Sequence, residues 1–412
     1  MNKILTKKNI LILIGISLVI RLIFAFCYYN YNDLITYNYE WVKMIKDYGI
    51  FNIYQIPEGI YSVDVDYPPI FLILLSIISP LAHFFYENSL NGLFQFTMKL
   101  FPLIFDVSII IFLYRKFSPK ISLLWAFNPG VIINTSMWGQ TDAMLAFFLI
   151  LMMYYINKKD SKMACISFAF CCLTKLQGAY LIPILLAYLI TDGTKIIEKL
   201  KALAYGALTG IIFFLPFMIA NKNILLPLDI YLYGGSKYNE INCGAANFHI
   251  FEHNAIPSPT QEMIAPFLII FCMLMFIIKF YKTKNINLTG CFYLYSIFMI
   301  TFTQRERYSF CAMTLLLLLF VYIKEKKYLI LSILSGISLA LNQIGPLDFL
   351  NYQEHCKAIG VEPIYEILVQ KNMWIYIFIF IALFINIIIF CTLKKQIKKE
   401  RKKRKENVEI SN

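Results

Sequence analysis

A chain of 412 residues that is 59% hydrophobic and only 15% charged is too apolar for a soluble globular protein, and its repeated apolar runs have bilayer-spanning length. The formal net charge of +13 raises a polyanionic partner as a question, but Lys and Arg fall mostly in short loops between the apolar runs. That is the signature of membrane orientation, and it excludes nucleic acid as the partner.

In chain order, Lys3, Lys7 and Lys8 precede an apolar run at 9–28 that Arg21 interrupts. No small-residue cleavage site follows, so a first membrane helix is predicted there rather than a signal peptide. A polar first outer loop, 29–66, comes next. Further spans are predicted at 97–114, 119–135, 140–156, 163–174, 179–190, 200–219, 262–280, 287–303, 309–323, 328–343 and 372–393. Basic clusters, from Arg115/Lys116/Lys120 and Lys158/Lys159/Lys162 to Lys324/Lys326/Lys327, fall at alternate loops and fix the cytoplasmic side.

The run at 67–85 breaks this alternation. An odd number of crossings must separate the first helix's outer end from the cytoplasmic cluster at Arg115, yet two apolar runs lie between them. The run at 67–85 opens Tyr67-Pro68-Pro69, contains Pro80 and leads into a loop without Lys or Arg. A re-entrant or juxtamembrane helix broken at Pro80 is therefore predicted. The fold expected is all-α: about twelve transmembrane helices plus that extra element in one domain, 1–393, with outer loops at 221–261 and 344–371. A basic cytoplasmic tail, 394–412, leaves both termini inside. The spans at 163–174 and 179–190 are short for a bilayer, so the turn Thr174-Lys175-Leu176-Gln177-Gly178 is expected to border a cavity.

Most of the ten cysteines lie in apolar runs and act as small hydrophobes. Cys243 and Cys356 fall in outer loops, where a disulfide could join them. Arg21 and Asp106, inside spans, are costly unless paired or facing a cavity.

The outer loops concentrate varied polar chemistry, whereas the cytoplasmic loops carry mainly lysine. Asp33, at the membrane–water boundary, suits a base taking a proton from a hydroxyl. Asp64 and Asp66, beside Tyr67-Pro68-Pro69, could hold a sugar or a metal or simply make a turn. Arg305 and Arg307 present planar forks suited to a lipid phosphate, with Lys175 as an added point charge.

In order along the chain, Asp33, Tyr37, Trp41, Gly49 and Tyr54, then Asp66-Tyr67-Pro68-Pro69, then Asn128-Pro129 with Ser136-Met137-Trp138-Gly139-Gln140-Thr141-Asp142, then Leu173-Thr174-Lys175-Leu176-Gln177, then Arg305-Glu306-Arg307-Tyr308 resemble motifs of the GT-C membrane glycosyltransferases. Within that superfamily, the chain resembles bacterial and archaeal proteins related to the second mannosyltransferase of glycosylphosphatidylinositol assembly, from about residue 21 to 320. The resemblance implies inverting transfer of a hexose, mannose in those relatives, from a polyprenyl-phosphate donor to a hydroxyl of a glycan, lipid or protein acceptor at the outer face of a prokaryotic plasma membrane. It implies Asp33 as catalytic base, Arg307, Arg305 and Lys175 at the donor phosphate, and Asp66, Tyr67, Trp138, Gln140, Asp142, Asn247 and Tyr308 at the substrates. Arg305 stands where many relatives carry His, which favours Arg307 for the phosphate. No cofactor is implied; some GT-C relatives use a divalent ion with paired acids, for which Asp64, Asp66 and Asp142 would be the candidates. The competing readings are a transporter of lipid-linked sugars and a non-catalytic subunit on the same scaffold.

Overall fold

Runs of Leu, Ile and Phe without a polar face can satisfy their backbone in lipid only internally. In the computed structural model, which describes residues 6–56, 59–237, 240–358 and 361–411, they do so as helices. The described chain begins with α1 (Lys7–Cys27), capped by Thr6, whose side chain accepts from the Asn9 amide. Then come α2 (Glu40–Tyr48), α3 (Pro69–Glu87) and α4 (Asn91–Lys116), followed by the short α5 (Pro119–Ala126) and α6 (Pro129–Ile132). Next are α7 (Asp142–Lys158), α8 (Ser161–Thr174), α9 (Ile182–Thr191), α10 (Ile196–Ala220) and α11 (Leu226–Ser236). The last helices are α12 (Pro259–Thr283), α13 (Ile286–Ile300), α14 (Phe310–Ile323), α15 (Lys326–Ala358) and α16 (Tyr365–Ser411). Among the described residues, seven helices, α1, α3, α4, α10, α12, α15 and α16, are long and apolar enough to cross a membrane. The protein is a membrane-embedded all-α molecule. Its one described sheet is a parallel pair of two-residue strands, β1 (Asn242–Cys243) and β2 (Gln304–Arg305).

Three details depart from the sequence reading. The helix at 67–85 is not broken at Pro80: α3 runs unbroken through it. The expected span at 119–135 is instead α5, α6 and a π-helical segment, Ile133–Trp138. Pro129 starts a new helix there, and the Asn128 side chain caps it by accepting from Val131 N at 3.2 Å. The outer loop expected at 344–371 is largely helical, because no glycine or proline falls between Pro346 and Gly360 to stop α15. Cys243 and Cys356 are free thiols.

The two charges within spans pair with each other. Arg21 Nε lies 2.7 Å from Asp106 Oδ2, with side chains 1% and 0% exposed. Asp106 also accepts from Trp125 Nε1 at 2.7 Å and Thr135 Oγ1 at 2.9 Å, while Arg21 donates to the Ala126 carbonyl at 2.6 Å. One buried network thus ties α1, α4, α5 and the Ile133–Trp138 segment together, with its charges paired and hydrogen-bonded as burial demands. Nearby, the buried Lys99 donates to the Tyr28 carbonyl at 2.6 Å, satisfying an end of α1.

Candidate active site

The site grows from the exits of α1 and of the α5–α6 region. After α1 the Asn30 amide donates to Gln95 Oε1 at 3.0 Å, and the Asn30 side chain donates to the Trp138 carbonyl at 2.7 Å. These bonds pin the strand of chain that enters a second π-helical segment, Asn32–Tyr39, which carries Asp33. Both π-helical segments border the site, as such irregular turns often do. The Trp138 indole N–H and the Gln140 amide, the latter at 2.6 Å, donate to the same oxygen of Asp33, Oδ2. Gly139 between them sits at φ +80°, and a Cβ there would come within 3.0 Å of the Leu34 and Lys99 side chains. Glycine is required by conformation and by space.

Asp33 opens into a cavity of about 440 Å³. One wall comes from the break between α8 and α9: Lys175, Leu176 and Gln177 line the cavity. Gly178 lets this turn close, since a Cβ there would lie 2.5 Å from the Cys171 backbone. Lys175 Nζ bonds Asp142 Oδ1 at 2.5 Å, and Asn134 Nδ2 donates to the other oxygen at 3.0 Å, with Lys175 and Asp142 both buried. Asp142 therefore lies behind Lys175 rather than on the cavity surface.

The second wall is the loop between α13 and α14. Arg305, Arg307 and Tyr308 line the cavity. The loop is held by the β1–β2 pairing, by the Thr303 amide donating to the Ile241 carbonyl at 2.8 Å, and by Asn342 Nδ2 donating to the Glu306 carbonyl at 2.7 Å. Arg307 is 7% exposed, pairs with Glu306, lies 3.9 Å from Asp142 and stacks 5.2 Å over Trp138. Burial alone would lower its pKa, but the carboxylates of Glu306, Asp33 and Asp142 outweigh that and hold the guanidinium well above its usual value. Arg305 is more open, its side chain 26% exposed and its Nε 3.9 Å from Glu306.

The third wall brings Asp66 and Tyr67 to the cavity. Tyr67 packs on Trp41, ring centroids 5.2 Å apart, and its carbonyl accepts from Tyr54 Oη at 2.7 Å. Lys237 Nζ pairs with Asp66 at 3.1 Å.

Of the residues expected at the site, Asp33, Asp66, Tyr67, Gln140, Lys175, Arg305, Arg307 and Tyr308 line one cavity, with Trp138 and Asp142 directly behind it. Asn247 is not brought there. Its buried amide accepts from Asn242 at 2.8 Å and donates to the Phe298 carbonyl at 3.0 Å, so it shapes the loop that carries β1. Sequence reasoning missed Lys237, whose only signal is its place in an outer loop where lysine is uncommon. It also missed Glu306 as a partner of Arg307, although Glu306 stood inside the quoted motif. Asp64 is separate from Asp66 and Asp142, accepting from Tyr233 at 2.7 Å. Among the described residues no group of three His, Cys, Asp or Glu side chains forms a metal-binding cluster. Thr141 Oγ1 and Gln177 Oε1, on residues lining the cavity, are buried without a hydrogen-bond partner. Compared with known proteins, the chain matches no family model and no curated protein.

Proposed function

We propose that this protein is a membrane glycosyltransferase that moves a hexose, mannose by its resemblance, from a polyprenyl-phosphate donor to an acceptor hydroxyl at the outer face, with inversion. The observation that carries the reading is the confinement of a hydrogen-bonded carboxylate, Asp33, and a firmly cationic guanidinium, Arg307, to one cavity of about 440 Å³.

Transfer by direct displacement needs those two groups. The Asp33 carboxylate takes the acceptor's hydroxyl proton as its oxygen attacks the anomeric carbon. The bond from that carbon to the phosphate oxygen breaks on the opposite side, and the polyprenyl phosphate leaves with the electron pair. Arg307 and Arg305 stabilise the charge gained by the phosphate, in a site where donors are already oriented. Trp138 and Gln140 fix the orientation of the base. The rings of Tyr67 and Tyr308, which line the cavity, offer the stacking that sugars use.

The same reading places both termini in the cytoplasm of a prokaryotic cell, with twelve crossings and α3 lying along the outer face. For α3 alone, Tyr39 bonds His83 and Glu87 at one end, at 3.0 and 3.2 Å, while Trp41, two residues on, packs against Tyr67 and Phe71 at the other. A single short segment touching both ends suits a helix parallel to the surface.

The test is release of polyprenyl phosphate. Purified protein in lipid nanodiscs, given polyprenyl-phosphate mannose and an acceptor saccharide, should liberate polyprenyl phosphate and glycosylated acceptor in equal amounts. Movement of intact donor across a bilayer without its cleavage would identify a transporter instead.

A further inference from the structure

A second cavity, of about 1030 Å³, lies at the end of the bundle away from Asp33. α7 starts at Asp142 beside the first cavity and ends at Lys158, and α14 starts after Arg307 and ends near Lys324. Those helices set the two cavities roughly 20–25 Å apart. Nothing in the proposed reaction uses the second one.

Its rim is cationic. Lys116 at the end of α4, Lys120 in the first turn of α5, Lys158 and Lys324 line it, and no Asp or Glu does. None of the four pairs with a carboxylate among the described residues; Lys158 lies 5.8 Å over the Tyr154 ring. Its floor is apolar. Phe117 meets Tyr154 and Tyr322 edge to face, with centroids 6.0 and 5.7 Å apart, beside Ile121 and Leu124. The Tyr322 hydroxyl is buried and has no partner.

All four lysines are exposed, and ammonium groups gathered round one space without a carboxylate raise its potential and favour an anion there. A small inorganic anion would answer the charge but leave most of this volume and its aromatic floor against water. An amphiphile meets both demands, and basic pockets between helices at a membrane surface are suited to anionic lipid headgroups. We propose that this cavity binds an anionic glycerophospholipid, its phosphate among the four lysines and its glycerol and first acyl carbons against Phe117, Tyr154 and Tyr322. The proposal does not depend on the glycosyltransferase reading.

The experiment is native mass spectrometry of the full chain released from nanodiscs of phosphatidylglycerol mixed equally with phosphatidylcholine. The wild type should retain phosphatidylglycerol at least 10-fold over phosphatidylcholine. In the K116Q/K120Q/K158Q/K324Q variant that preference should disappear. A control with four tail lysines changed, K394Q/K395Q/K398Q/K399Q, should keep it, because general surface attraction is not the cause. If the quadruple cavity variant does not fold, K120Q and K324Q singly should each reduce the preference at least 2-fold. Equal retention of both lipids by the wild type, or unchanged retention by the folded cavity variant, would overturn the proposal. Loss of the preference in the tail control would overturn it equally. Soluble glycerol phosphate added at millimolar concentration should leave the bound lipid in place; its displacement of the lipid would assign the site to a soluble phosphate.

Discussion

Removing the Asp106 carboxylate strands a guanidinium inside the bundle. Asp106 accepts from Arg21 Nε at 2.7 Å and Nη2 at 3.3 Å, from Trp125 at 2.7 Å and from Thr135 at 2.9 Å. In Asp106→Ala, Arg21 retains only carbonyl partners, Ala126 at 2.6 Å and Ser17 at 3.3 Å, and the Trp125 indole N–H loses its acceptor. Breaking such a pair from one side costs about 3–5 kcal/mol, most of it from the charge left behind. Replacing both members, Arg21→Leu with Asp106→Leu, leaves no buried charge and should cost less than Asp106→Ala alone by about 1–2 kcal/mol. The assay is a denaturant titration in mixed micelles followed by far-UV circular dichroism, on the wild type and both variants. A double variant at least as unstable as Asp106→Ala would refute the reasoning, since it would mean that no stranded charge made the single change costly.

Three further outcomes follow from local geometry. Gly178→Ala should destabilise more than Gly139→Ala. The former drives a Cβ to 2.5 Å from fixed backbone, whereas the latter meets side chains at 3.0 Å and adds the strain of a positive φ; about 1–3 kcal/mol is expected for each, ranked by the same titration. Arg307→Lys keeps the charge but loses the planar fork, and should lower kcat/KM for the polyprenyl-phosphate donor by roughly 10–100-fold. Asp192, after α9, tests pH. Burial pushes its pKa up, but hydrogen bonds from the Thr194 amide, Ser161, Thr194 Oγ1 and Lys199 outweigh that and hold it below its ordinary value. A depressed folded-state pKa means that the stability is present above the unfolded value of about 3.9 and is lost as pH falls through the folded one. The wild type should therefore exceed Asp192→Asn in unfolding midpoint at pH 6, and the two should converge in stronger acid.

The sequence carried the membrane class because apolar runs and loop lysines are local properties. Most of the candidate cavity was legible as well: Asp33 and Arg307 as unusual charges next to helix ends, and Trp138 and Gln140 through the resemblance. What escaped depends on distant packing. Arg21 and Asp106 could each be marked as needing a partner, but only the crossing of α1 and α4 brings them within 2.7 Å. Lys237 reaches Asp66 from a loop about 170 residues further on, and no local pattern marks that meeting. Asn247 drew notice through the resemblance alone, and the fold uses its amide to hold backbone. Pro80 was overread, because a proline removes only one backbone hydrogen bond and α3 continues through it.

The central claim is that Asp33 is the base. Asp33→Asn keeps the shape and an oxygen for Trp138 and Gln140 to bond, and removes only the ability to accept the proton. Turnover of polyprenyl-phosphate mannose should fall by at least about 10³-fold, while donor affinity, measured by displacement of a fluorescent polyprenyl phosphate, stays within about 3-fold of the wild type. Turnover retained by a folded Asp33→Asn protein would contradict the account.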